Sequence, residues 1–210
     1  PLLERLGIRG AVEVPDDADF LSVRHANTLP NKIDTFVSRE IDYDVAYDPS
    51  TERVEATVTV RIVNTAPESG YVPYVIGPES PDRPMGTARM VLAVYTPLSA
   101  TGATLDGETV GTEPQRELGA RVYSVPVTIG PQQEATVVLH LEGTIEGMGD
   151  TYTIHTSSQP MANTDRLGVE VRSFTGAGVT GVENLDTDDR VASTRRPWDR
   201  DLRFSATVDE

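Results

Sequence analysis

Three histidines, 33 acidic residues and no cysteine set the chemistry open to this 210-residue chain. His25, His140 and His155 are scattered, with no pair four residues apart and no neighbouring carboxylate at ligand spacing, so no local transition-metal site is written. The missing cysteines remove thiol nucleophiles, disulfides and every thiolate metal site, while leaving the compartment open. One run, Asn184-Leu185-Asp186-Thr187-Asp188-Asp189, sets oxygens at alternate positions, as a calcium loop begins. Asn184, Asp186 and Asp188 are its candidate ligands. The glycine of the sharp turn and the closing bidentate glutamate are missing, so a solvated acidic turn is the competing reading.

Other reaction classes leave less trace. No Gly-x-Ser-x-Gly elbow or ordered Ser/His/Asp set is present, and Gly176, Gly178 and Gly181 have the wrong spacing for a phosphate-binding loop. A glycosidase needs two carboxylates flanking a sugar-sized cleft, and among this many acids some pair falls close by chance. The expectation is therefore a non-enzymatic chain with no cofactor. For sugar rings the available stacking platforms are Tyr71, Tyr74, Tyr95 and Trp198, with Tyr123 besides. Aromatics are only 6% of the chain, so most are expected in the core or on strand faces. The single lysine, Lys32, lies beside Asn31 in a polar junction and not in an apolar strand, so a lysine–asparagine crosslink is not expected.

The formal charge of −15 repels phosphate backbones and anionic headgroups, which argues against nucleic-acid and membrane-surface partners. No stretch approaches the roughly 18 apolar residues of a membrane span. The chain begins at Pro1 without an initiator methionine or a leader pattern, and reads as a piece of something longer.

The elements that must position these residues are strands. Ile41, Tyr43, Val45 and Tyr47 alternate with Asp42, Asp44 and Asp48, and Val54, Ala56, Val58, Val60 and Ile62 alternate with polar residues, which predicts a hairpin with one wet face. Asp106-Gly107 predicts a tight hairpin, and residues 130–133 predict another between strands at 122–129 and 134–141. Further strands are expected at 71–76 (an edge, because of Pro73), 87–95, 151–156, 167–174 and 202–208. Residues 2–7 read as a short helical turn, 14–31 as a polar loop, 77–86 as a long exposed loop and 176–196 as a flexible excursion. The fold class is all-β: an antiparallel immunoglobulin-like or fibronectin-like β-sandwich over residues 33–210, preceded by an N-terminal segment and linker over 1–32, with long loops.

Several phrases then look familiar: Asn31-Lys32-Ile33-Asp34, residues 37–45 (Val-Ser-Arg-Glu-Ile-Asp-Tyr-Asp-Val), Tyr74-Val75-Ile76-Gly77, Tyr95-Thr96-Pro97, residues 101–107 and residues 117–124. Together they resemble the C-terminal region of the actinobacterial envelope proteins grouped as domain of unknown function 4012, over about residues 2–167. The resemblance implies the distal, extracytoplasmic part of a cell-envelope protein, tied to the membrane only through an anchor outside this chain. It brings no catalytic residues. The function expected is a structural or interaction module whose partner is an envelope protein or polysaccharide. The alternative is a carbohydrate-binding module, or an accessory domain in surface-polysaccharide metabolism.

Overall fold

A computed structural model of the chain describes residues 14–77, 83–111 and 113–209. The helical turn expected at 2–7 lies outside these residues, as does 78–82 of the expected exposed loop. Alternation of apolar and polar residues with a period of two gives strands nearly everywhere, and they gather into two sheets.

One sheet runs β12 (Val179–Glu183), β15 (Leu202–Val208), β10 (Thr151–Thr156), β1 (Asp19–Asn27), β4 (Ala88–Thr96), β8 (Ala120–Ile129) and β7 (Gln115–Glu117). The other runs β13 (Asp186–Asp188), β14 (Val191–Trp198), β11 (Asp165–Ser173), β2 (Val37–Asp48), β3 (Arg53–Asn64), β9 (Gln133–Thr144), β5 (Ser99–Leu105) and β6 (Glu108–Thr109). Their inward residues form a single hydrophobic core, with Ile41, Val58 and Leu139 from one sheet meeting Leu21, Leu92 and Ile154 from the other. Each such side chain contributes about 1.5–3 kcal/mol on burial. The outermost strands are two to five residues long, which blunts open edges against pairing with other chains.

The all-β expectation holds, but the antiparallel part of it fails at two ladders. β1 pairs parallel to β10, and β2 pairs parallel to β11, so both sheets are mixed. Alternation specifies which face a residue takes and not the direction of its neighbour, so the sequence pattern carries no mark of either ladder. The β2–β3 hairpin is present in full register from Val37 opposite Asn64 to Asp48 opposite Arg53. The Asp106-Gly107 turn is present as well, with both residues at positive φ as a two-residue hairpin turn requires.

Four local expectations are corrected. The stretch 14–31, expected as a loop, holds β1 in the middle of its sheet, because Asp19 and Ser22 are satisfied inside by hydroxyls and a carbonyl. β8 and β9 do not form a hairpin: they lie in different sheets, and 130–132 is an arch between them. Residues 71–76 are not a strand but a helical turn, α1 (Pro73–Ile76), with proline at its start where a missing N–H costs nothing. The 176–196 excursion is built of β12, β13 and most of β14, which close the sandwich on one side.

Candidate functional site

At one end of the sandwich, two of the phrases singled out in the sequence meet. The Lys32 backbone N–H donates to the carbonyls of Tyr74 and Val75, each at 3.2 Å, and the Asn31 side-chain amide donates to the Gly77 carbonyl at 2.7 Å. Asn27 binds the Asn31 side chain in turn. Asn64, at the end of β3, is buried and donates to the carbonyls of Gly86, Ile129 and Gly130 while accepting from the Ala66 N–H. α1 is thus fixed directly by the segment before β2, and indirectly by the exit of β3, since the Gly86 whose carbonyl Asn64 holds donates its N–H to the Ile76 carbonyl at 2.7 Å. Gly77 follows the turn so closely that a Cβ there would lie 2.3 Å from the Pro73 carbonyl oxygen, and no larger residue fits.

On this fixed frame stand three large apolar side chains in water: Tyr71, Val72 and Tyr74 are 50%, 61% and 65% exposed. The Tyr71 ring meets Phe36 edge-on at 5.3 Å, and the Lys32 ammonium stands 5.7 Å over the Tyr74 ring. Phe36 belongs to a 3-10 turn, Ile33–Phe36, whose Asp34 carboxylate faces His25 at 3.2 Å. That contact holds the Asp34 carboxyl below its ordinary range. The corner therefore offers two aromatic rings, one cation and one carboxylate, chemistry suited to recognition.

Of the four aromatic platforms the sequence suggests, the structure brings Tyr71 and Tyr74 into this corner and separates the others from it. Tyr95 lies in β4, half-buried, with its hydroxyl donating to Glu117 at 3.0 Å. Trp198 is 1% exposed and offers no face to a ligand; it packs in the core opposite Asp165. Its position at an alternating inward site of β14 is masked in the sequence by Pro197 and the arginines around it. Tyr123, the fifth, is buried and its hydroxyl is held by the Ala100 N–H and the Leu98 carbonyl.

The calcium reading also loses its geometry. The Asn184 side-chain oxygen accepts from Arg196 at 2.9 Å and its amide donates to the Arg203 carbonyl, so a cation already faces the first expected ligand. Asp186 and Asp188 project from the exposed edge strand β13. Among the described residues no three His, Cys, Asp or Glu side chains gather as a metal site. The histidines remain apart: His25 is buried at the corner, His140 is on the outer face of β9, and His155 is on β10.

Sequence reasoning missed a second surface. The outer face of the eight-stranded sheet carries a half-open groove of about 350 Å³, lined among others by Asp44, Glu55, Thr57, His140, Glu142 and Arg172. Alternation assigns Asp44, Glu55 and Thr57 to a wet face, but only the strand order places His140, Glu142 and Arg172 beside them. The Asp44 carboxyl is raised by partial burial, then by Glu170 and Asp42 beside it.

No protein-family model and no curated protein matches the chain. Among solved structures it is similar to yeast LTA4 hydrolase, at 10% identity and a TM-score of 0.50, over 83% of this chain and 29% of the hydrolase. A Legionella pneumophila protein suggested to bind nutrients matches at 10% identity and a TM-score of 0.49, over 89% of this chain and 72% of its own. An M1 zinc metallopeptidase of Deinococcus radiodurans matches at 10% identity and a TM-score of 0.40, over 81% and 42%. The likeness to the yeast hydrolase is one of fold, and this chain spans less than a third of that protein.

Proposed function

We propose that the chain is a non-catalytic, extracytoplasmic interaction module of an actinobacterial cell-envelope protein of the domain of unknown function 4012 kind, and that the corner bearing Tyr71, Val72 and Tyr74 is its contact surface. Its architecture works as an immunoglobulin-like sandwich does, with a rigid pair of sheets presenting contacts from loops at one end. The observation that carries this reading is the exposure of those three side chains on a turn locked by Asn31, Lys32 and Asn64. Adjacent apolar side chains held rigidly in water mark an interaction surface, and tyrosine is enriched where binding energy concentrates. Rigidity matters because little ordering cost remains at binding. The net charge of −15 favours a partner that is not itself polyanionic.

The test is crosslinking of the full-length protein in its own envelope, comparing wild type with the double variant Tyr71→Ser and Tyr74→Ser. The expected outcome is a defined set of crosslinked envelope proteins that the double variant loses while its circular dichroism stays unchanged. An identical set from the double variant refutes the corner as the contact surface. A second reading, a carbohydrate-binding module, is favoured by the polar groove on the sheet face.

A further inference from the structure

We propose that the groove on the outer face of the eight-stranded sheet is a glycan-binding site, taking a segment of sugar chain that bears no acid groups. This rests on the carbohydrate reading and is independent of the tyrosine corner. The concavity has a structural cause. Ala46 stands in register between Arg172 on β11 and Glu55 on β3, so a methyl group sits where its neighbours carry long side chains. On the far side, the pairing of β5 with β9 slips between Ala100 and Gly102, and a Cβ at Gly102 would meet nothing within 4 Å. The row Arg172, Ala46, Glu55, Glu142 crosses three strand spacings, about 14 Å, so the groove runs across the strands. Its volume of about 350 Å³ is within the range of small-ligand sites.

The lining decides the ligand class. Small-molecule pockets are mostly apolar, whereas the described lining of this groove holds no Phe, Tyr or Trp and alternates hydroxyl, imidazole, carboxylate and guanidinium groups. Thr57 Oγ1 and His140 Nδ1 bind each other at 3.3 Å, and Arg172 leans on Glu170 at 3.6 Å. The Asp44 carboxyl, on the same row as Thr57 and His140, takes no hydrogen bond from the described residues. Adjacent donors and acceptors suit vicinal hydroxyls, which donate to a carboxylate and accept from a guanidinium or imidazole at once. Asp44, Glu55 and Glu142 repel an anionic sugar, and a free amine on a sugar is tolerated for the same reason.

The experiment is a titration of the ¹⁵N-labelled chain with three trisaccharides: maltotriose, a glucosamine trimer and a galacturonic acid trimer. Saturable shifts are expected with one or both of the first two at Asp44, Ala46, Thr57 and His140, and none with the acidic trimer. Ala46→Trp, which fills the floor, and the near-isosteric Asp44→Asn should each weaken binding at least roughly tenfold, about 1.4 kcal/mol. Asp44→Asn keeps the test open if the tryptophan variant fails to fold. No saturable shift with either acid-free trimer at roughly 10 mM overturns the site, since that excludes even millimolar affinity. Equal response to the acidic trimer, or insensitivity to both variants, overturns it too. Shifts confined to Tyr71 and Tyr74 overturn the groove while leaving a carbohydrate-binding module in place.

Discussion

Among the described residues two carboxyl groups are sealed inside the molecule, and they are held in opposite ways. Asp165 opens β11 and meets Arg39 of the neighbouring strand β2 in a two-pronged pair, Nε to Oδ1 at 3.1 Å and Nη2 to Oδ2 at 2.5 Å, with both side chains fully buried. Asp19 opens β1 and has no cation against it among the described residues. Its Oδ2 accepts from the hydroxyls of Tyr43, at 2.6 Å, and Tyr152, and its Oδ1 from the Phe20 N–H. Each of the two strands these acids open belongs to a parallel ladder. The ion pair acts within one sheet, between adjacent strands, and so fixes register. The hydroxyl set joins Tyr43 of one sheet to Asp19 and Tyr152 of the other, and so fixes the sheets to each other. A buried carboxyl held by hydroxyls and an amide, with no counter-charge, can take up a proton.

The comparison breaks most sharply at the ion pair. Asp165→Ala leaves the Arg39 guanidinium buried without its partner and is expected to cost about 3–5 kcal/mol, whereas the joint replacement Asp165→Leu with Arg39→Met should cost far less. Urea unfolding at pH 7 measures both. A single-variant cost below about 1 kcal/mol would mean that water reaches the pair, and that the two acids are not held so differently after all.

Next in size is a pH effect that comes from Asp19. Burial pushes its carboxyl up to about 6, against the three hydrogen bonds that act to lower it. The folded state therefore holds this proton more tightly than the unfolded chain does. The resulting stability is fully present below about pH 4 and is lost as the pH rises through about 6. A shift of roughly two units corresponds to about 3 kcal/mol. Asp19→Asn removes the dependence, so between pH 4 and pH 7 the variant should gain about 2 kcal/mol relative to wild type in unfolding free energy, most of the full effect. A constant difference across that range would show that the three hydrogen bonds suffice to keep Asp19 charged in the core.

These two acids also show what the sequence conveyed and what it withheld. Val37–Asp48 and Arg53–Asn64 were legible because one face is apolar and the other wet, and Asp106-Gly107 because only such residues take that turn readily. β1 was not legible, because Asp19, Ser22 and His25 read as surface residues while their partners, Tyr43, Tyr152, Ser157 and Asp34, lie 9 to 135 positions away. Arg39 presents the same difficulty: it occupies an inward position in an otherwise apolar set, and nothing local announces Asp165, 126 residues on. Half of the aromatic corner was visible as two tyrosines beside a proline. Its rigidity comes from hydrogen bonds between segments far apart in sequence, and the groove on the sheet face from strand order; periodicity is blind to both.

The smallest expected effect sharpens the comparison at Trp198, which stands in register opposite Asp165. Trp198 Nε1 and Arg39 Nη1 are both buried and, among the described residues, without an acceptor, so the ion-paired end is less completely satisfied than the Asp19 end. Trp198→Phe removes one orphaned donor, worth about 1–3 kcal/mol if it is dry, and loses some ring contact, worth a similar amount in the opposite direction. The net change should stay within about 1 kcal/mol, while Trp198→Ala should cost about 3–5 kcal/mol through the cavity alone. Thermal unfolding of both variants separates the two contributions. A phenylalanine variant destabilised by more than about 2 kcal/mol would mean that the indole N–H is hydrogen-bonded in solution, and that the two buried acids sit in equally satisfied surroundings.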